Sequence, residues 1–530
     1  MFFTSYEFLG FIIALFLLYY IVPKKWQWQL LLVASYAFYF AAGPKYLIYI
    51  LATTVTIYAA ARIIEQNQAA QTLYIKEHKA ELSKEEKKAY KDKCHKVRFR
   101  FLLLCLLVNL GILAVLKYTN FFIQNVNGIM DAFGQTGHLS FVALALPLGI
   151  SFYTFQAISY LLDVYRGTIT AEKNIFRFAL FVSFFPLLIQ GPISRYGDLS
   201  PSLFEQHKFD SKTVSYGLQR MLWGYFKKMV IADRILAGVS CIINEPQTYN
   251  GAYAFVGMLF YTLELYADFT GGIDITIGIA QTMGITVQEN FNRPYFSKSL
   301  KEYWRRWHIS MCAWFRDYVF YPVSICKPMQ KFSKFSRAHF GERVGKRLPV
   351  YISSFIVWLA TGIWHGASWN FVVWGLANWL VLMVSEEFEP LYEKFHNRFG
   401  FSNKWGYKLF QVSRWFALIC ILNLFDCFEK VSTTFQMIAS VFTARNWSVL
   451  WDGSLLNIGL SAVDYGILAA GVVILLTVSL LQRKDSVRDR IALKAYPVRV
   501  CVWFGLFLLV LLLGAYGIGY DASQFIYNRF

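Results

Sequence analysis

Apolar residues in this chain come in long unbroken runs, not at the three-to-four-residue spacing of a surface helix or the alternation of a half-buried strand. The first run is Phe8 to Val22 (FLGFIIALFLLYYIV) and the last is Val502 to Gly517. In hydrocarbon such runs satisfy their backbone groups as helices, because a barrel needs alternating strands of about ten residues. The pattern predicts spans or half-spans at 8–22, 28–42, 46–61, 99–118, 141–162, 176–194, 213–243, 252–284, 350–364, 369–385, 408–428, 459–482 and 499–519. Some of these are expected to be re-entrant or interfacial. The predicted fold class is all-α, a polytopic membrane helix bundle forming a single domain over 1–530, with no internal repeat and no soluble domain. The first run lacks a basic leader and a small-residue cleavage site, and Pro23-Lys24-Lys25 follows it, so a retained span is expected.

The polar residues between the runs orient the bundle. Arg62 to Arg100 carries eleven Lys and Arg against six acidic residues, which predicts a cytoplasmic loop or helices. Lys327 to Arg347 and Arg483 to Arg499 are basic in the same way. Counting spans from these segments puts both termini, including the tail 523–530, on the extracytoplasmic side. Composition agrees with a lipid environment: 56% of residues are hydrophobic and only 16% charged, against roughly 25% charged in a soluble domain. The net charge of +19 would suit nucleic acid, but the basic residues lie between apolar runs and form no continuous face, so no nucleic-acid partner is expected. Eight cysteines are scattered with no C-x-x-C pair, and Cys105, Cys420 and Cys501 fall within apolar runs, so neither a disulfide framework nor a zinc site is indicated.

Ionisable groups at membrane depth are costly and therefore candidates for chemistry. His365 lies in Thr361-Gly362-Ile363-Trp364-His365-Gly366-Ala367-Ser368-Trp369-Asn370, between two apolar runs. Gly362 and Gly366, four residues apart, allow another helix backbone close to the ring. Burial would keep the imidazole neutral, as a general base requires, although a histidine bonding across two helices fits the pattern too. Asn370 is a candidate substrate contact. His308 follows Trp304-Arg305-Arg306-Trp307; here interfacial anchoring competes with a site in which Arg305 or Arg306 meets donor phosphates beside Trp304. Cys312 lies one turn further on, a weak candidate for a Cys-His nucleophile. Asp268 and Asp274 lie in the glycine-interrupted stretch Tyr266-Ala267-Asp268-Phe269-Thr270-Gly271-Gly272-Ile273-Asp274, where capping or pairing with an arginine competes with a role in binding. No Lys-Ser/Thr follows those glycines, so a phosphate-cradling loop is excluded.

The segments Gln190-Gly191-Pro192-Ile193-Ser194-Arg195, Tyr266 to Gly271, Asn290-Phe291-Asn292-Arg293-Pro294-Tyr295, Trp304 to His308 and Gly362 to Gly366 together resemble the membrane-bound O-acyltransferase (MBOAT) family, in particular its bacterial alginate O-acetylation branch, over nearly the whole chain. The resemblance implies an enzyme of the bacterial cytoplasmic membrane with a central tunnel. In it His365 corresponds to the family's near-invariant membrane histidine and His308 to its second polar position. It further implies acetyl-CoA as a cytosolic acyl donor, no bound cofactor or metal, an extracytoplasmic SGNH-type acyltransferase partner, and a polysaccharide such as alginate as final acceptor. The tail ending Phe525-Ile526-Tyr527-Asn528-Arg529-Phe530 is similar to an aromatic C-terminus thought to accept the acyl group in the related D-alanyl pathway, which makes Tyr527 a candidate relay. Two alternatives stay open: a D-alanyl transferase of teichoic acid modification, and a secondary transporter, against which the missing inverted repeat counts.

Overall fold

The structure is a computed structural model, and it describes residues 3–135, 137–400 and 404–516. Tyr527 and the rest of the tail 523–530 lie outside the described residues. Helices account for nearly all regular structure, as the apolar runs require, and the chain is an all-α polytopic membrane protein. Six helices among the described residues are long and apolar enough to cross a membrane, or seven with the pair Trp369–Glu387 and Glu389–Phe399, bent by 49°, taken as one. The chain divides into two compact units, Met1–Val214 with Ile279–Gln288, and Ser215–Gly278 with Glu289 onward.

The first unit contains α1 (Tyr6–Ile21), α2 (Gln27–Ala42), α3 (Leu47–Glu77), α4 (Lys84–Ala132), α5 (Ile150–Arg166), α6 (Ile175–Ser183), α7 (Phe185–Gln190) and α8 (Tyr196–Phe204). Its core is aromatic: the ring centroids of Phe8 and Phe38 are 6.1 Å apart, and those of Phe38 and Phe185 5.6 Å. The basic segment 62–100 is helical, not a loop. With 31 and 49 residues, α3 and α4 reach about 46 and 73 Å at 1.5 Å per residue, well beyond the roughly 30 Å of a hydrocarbon core. Their ends form a hairpin closed by the Ser83/Glu86 capping box, by Arg98 donating to Gln71 Oε1 at 2.7 Å, and by Tyr74 against Tyr90 at 4.4 Å.

The span expected from 141 begins only at Ile150. Pro147 has no N–H to give a helix, and Gly149 takes φ 66°, the left-handed region. The non-helical strip before it is satisfied from α4. Asn120 exchanges two hydrogen bonds of 2.9 Å with the Val142 backbone, and Asn127 pairs similarly with Leu139 at 2.9 and 2.8 Å. The run 176–194 is likewise two short helices, broken at Phe184 ahead of Pro186.

The second unit takes in α9 (Ser211–Tyr225) from Ser215, a π-helical segment (Phe226–Ala232), α10 (Asp233–Asn244) and α11 (Ala252–Thr282) as far as Gly278. Next come the short helices α12 (Leu300–Trp304), α13 (Ile309–Phe315) and α14 (Tyr321–Ile325), then α15 (Lys327–His365), α16 (Trp369–Glu387), α17 (Glu389–Phe399), α18 (Trp405–Asn423), α19 (Val431–Thr443), α20 (Ala462–Leu481), α21 (Val487–Ala492) and α22 (Tyr496–Leu513). The basic stretch 327–347 is helical too. It folds back at Gly341 (φ 74°), where Ser336 Oγ donates to the Gly345 carbonyl at 2.8 Å, a pair that a straight helix would hold more than two turns apart.

Candidate active site

Two elements converge near the C-terminus of α15. His365 is the last residue of that helix and Gly366 ends it in extended backbone. The helix crosses α16 at glycine: a Cβ on Gly375 would sit 2.5 Å from the Trp358 carbonyl oxygen, and one on Gly362 would strike the Phe371 carbonyl. Small residues at this crossing are what let the two backbones approach. The close crossing sets the half-buried His365 ring against Trp374, with centroids 4.7 Å apart, and against Trp364 at 5.0 Å.

Also against Trp364 lies His308, fully buried and 6.1 Å from that indole, with Phe269 edge-on at 4.9 Å. His308 starts α13 with φ 47°, and among the described residues it and Arg293 are the non-glycine residues with positive φ. Such backbone persists where the surroundings over-determine it. Asn290 does so here: its carbonyl accepts from Ile309 N–H at 3.0 Å, and its side-chain Oδ1 accepts from Ser310 N–H and Ser310 Oγ, both at 2.9 Å.

Those bonds also favour one tautomer. His308 Nδ1 lies 3.3 Å from the Asn290 amide nitrogen and 3.4 Å from its Oδ1; because Oδ1 already accepts twice from Ser310, the arrangement in which the amide nitrogen donates to Nδ1 satisfies more groups. Nδ1 is then the acceptor and the ring proton sits on Nε2, which has no hydrogen-bond partner among the described residues. Burial, reinforced by the neighbouring His365, pushes the His308 pKa well below its usual value, so the ring stays neutral. In that tautomer His308 presents an N–H donor, and His365 is a second imidazole against the same indole.

The other residues singled out from sequence divide. Trp304 is buried, donates to Asn378 Oδ1 at 3.2 Å and packs against Trp374 at 5.7 Å, so it joins the wall that carries His365. Asn370 is fully buried; its amide donates to the Phe428 carbonyl and its Oδ1 has no partner among the described residues. Arg306 is held by Glu302 at 2.5 Å, whereas Arg305 is exposed. The Cys312 thiol donates to the Trp307 carbonyl at 3.6 Å, and its backbone N–H donates to the His308 carbonyl at 3.1 Å as the first turn of α13.

Asp268 and Asp274 belong to a separate ionic network between α11 and the α9–α10 stretch. Lys228 bonds Asp268 at 2.5 Å and Asp233 at 2.7 Å, while Asp274 receives Lys227 at 2.5 Å and Arg220 at 2.8 Å. Two adjacent lysines reach one partner helix because the π-helical segment widens the turn at 226–232. Gly224 and Gly271 let the backbones meet, a Cβ on Gly224 falling 2.6 Å from the Gly271 carbonyl oxygen. The sequence reading anticipated one arginine partner and overlooked the lysines. Their signal was present as a Lys-Lys pair inside an otherwise apolar run.

A model of the membrane-bound O-acyltransferase family matches residues 169–428, which include both histidines. A probable alginate O-acetylase of Azotobacter vinelandii is 32% identical over 463 residues, 85% of this chain and 79% of that protein. The chain belongs to the membrane-bound O-acyltransferase family. It is also similar to a peptidoglycan O-acetyltransferase of Helicobacter pylori, 31% identical over 71% of this chain and 66% of that protein, and to a teichoic acid D-alanyltransferase of Bacillus subtilis, 29% identical over 53% and 67%. As a member of the family it is a multi-pass membrane enzyme that transfers acyl groups to oxygen. Within the family match, the two histidines pack against a single indole.

Proposed function

We propose that this O-acyltransferase takes an acetyl group from cytosolic acetyl-CoA and passes it across the membrane for O-acetylation of an extracytoplasmic polysaccharide, with an SGNH-type transferase completing delivery. The observation that carries the chemistry is the pair of imidazoles packed against Trp364, one of them buried and held neutral. In this reading His365 accepts the proton of an acceptor hydroxyl as that oxygen attacks the thioester carbonyl. His308 Nε2–H donates to the oxyanion that forms. Collapse breaks the C–S bond, and the departing sulfur takes the proton back from His365, leaving an ester and a free thiol. The aromatic walls keep competing water away.

The acetyl specificity is supported by relatives named as O-acetylases of two different polymers, matched over more of this chain than the D-alanyltransferase is. Donor entry from the cytoplasm is supported by the basic segments 62–100, 327–347 and 483–499. The test is transfer by the purified protein in detergent from radiolabelled acetyl-CoA to a soluble glycan acceptor. Transfer from a D-alanyl carrier-protein thioester with none from acetyl-CoA would replace this reading with the D-alanyl one. A cysteine at Ser83, labelled by an impermeant thiol reagent only after the membrane is opened, would establish the orientation; labelling in intact spheroplasts would reverse it.

A further inference from the structure

Asp426 closes the turn Leu424–Asp426 at the end of α18, and that turn packs against α16 and α19. The residue is half-buried. Its carboxyl forms neither a hydrogen bond nor an ion pair among the described residues, and no charged group acts on it. Its oxygens are not sealed off, as the unpartnered Nε2 of His308 is, and so they front open space. An ionisable group left in this state at membrane depth is a candidate for function.

The turn lies where two walls of the active site meet. Asn370, in the first turn of α16, donates its amide to the carbonyl of Phe428, two residues past Asp426. Phe371 and Trp374 of the same helix pack on the His365 ring, with centroids 6.4 and 4.7 Å away. The charge of Asp426 also acts on Tyr295 and Tyr303, whose rings stack on Trp307, the neighbour of His308, at 6.0 and 5.7 Å. Lys404 and Lys408 lie at the opposite end of α18, and the basic stretch 327–347 at the opposite end of α15. Asp426 and His365 therefore both sit at helix ends remote from the segments assigned to the cytoplasm.

The hydrogen-bonding groups of this corner are unevenly spent. Its donors are engaged: the Asn370 amide by the Phe428 carbonyl, the Trp304 indole by Asn378 and the Cys427 thiol by the Asn423 carbonyl. Acceptors are left over, namely the Asp426 carboxyl and Asn370 Oδ1, which is buried with no partner among the described residues. The Tyr303 hydroxyl, able to give or accept, forms no hydrogen bond among those residues either. Surplus acceptors are satisfied by a ligand that brings O–H groups.

We propose that Asp426, with Asn370 and Tyr303, binds the acyl acceptor through hydroxyls beside the reacting one, so that the direct acceptor is a carbohydrate. The inference rests on the acyl-transfer reading and narrows it. His365 takes the proton of one hydroxyl while Asp426 holds its neighbour, and the ester passed on to the SGNH-type transferase is a sugar ester. A serine or tyrosine side chain brings no second O–H to this corner.

The experiment is transfer by the full chain in detergent from radiolabelled acetyl-CoA to alginate hexasaccharide, to chitohexaose or to a peptide containing serine and tyrosine. At least one glycan should take label faster than the peptide. Asp426→Leu should raise the glycan KM at least about tenfold, the order of a lost hydrogen bond to a carboxyl, with the acetyl-CoA KM unchanged. Asp426→Asn keeps an acceptor oxygen and should raise the glycan KM only about threefold. Label on the peptide at or above the glycan rate would overturn the proposal. So would a wild-type glycan KM in Asp426→Leu, or an acetyl-CoA KM that rises in step with it, the mark of a damaged fold or a donor contact. If acetyl-CoA labels nothing, a D-alanyl carrier-protein thioester takes its place. Glycan transfer that depends on Asp426 would then sink the acetyl reading and keep this one, and no glycan transfer from either donor would sink both.

Discussion

The ionic network of α9–α11 and the histidine site both bury polar groups in the second unit, yet they do so on opposite terms. In the network, Lys228 is paired with two carboxylates, Asp274 with two cations, and Lys227 also donates to Thr270 Oγ1 at 2.8 Å. At the site, His308 Nε2 and Asn370 Oδ1 are buried with no partner among the described residues. A satisfied buried charge holds two helices together; a buried polar atom without a partner costs stability and persists where something else is to bind it. Burial alone does not draw this contrast, since Asp268 at 2% exposure is nearly as buried as His308.

The sharpest way to break this comparison is to remove one network cation. Lys228→Ala removes the cation that bridges Asp268 and Asp233 and should destabilise the protein by about 3–5 kcal/mol, the usual result of breaking a buried pair from one side, read as a fall in thermal midpoint and yield in detergent. Near-normal stability would mean that the network is solvated. His365→Ala should behave in the opposite way, with abundance near normal and acyl transfer reduced more than about a hundredfold. Retention of a tenth of the activity would remove His365 from the reaction.

A third change tests the scaffold of the site itself. Gly362→Val drives a side chain into the Phe371 carbonyl at the α15–α16 crossing and should cost about 1–3 kcal/mol, as overpacking does, with transfer falling further than stability because His365 moves. The smallest effect concerns pH. His308 is depressed in the folded protein, so the unfolded chain takes up a proton at higher pH than the folded one does. Stability should therefore fall as pH drops below about 6.5, by up to about 1.4 kcal/mol per unit. His308→Gln should flatten that slope in a thermal-shift series from pH 7 to pH 5, and an unaltered slope would show that another group titrates there.

The histidines were legible in the sequence because each is an ionisable residue beside tryptophans in an apolar setting, and their family motifs stand intact. Asn290 lay in a quoted motif, but its part in favouring one His308 tautomer was not legible, since it depends on a loop bringing positions eighteen residues apart into contact. The lysines of the network were passed over because the run 213–243 was read as one span, and only the π-helical segment turns both toward α11.

Hydrophobic run length by itself determined that the chain is helical and membrane-embedded, because hydrocarbon leaves the backbone no other economical way to satisfy its hydrogen bonds. Run length does not report breaks made by local chemistry. The unwound strip before Ile150, the Phe184 break and the reversal at Gly341 each turn on a proline, a glycine or an asparagine whose effect depends on what lies opposite. Tertiary structure alone decided which buried polar groups pair and which stay open. Pairing is a property of two positions brought together by folding, and a linear pattern records each of them separately.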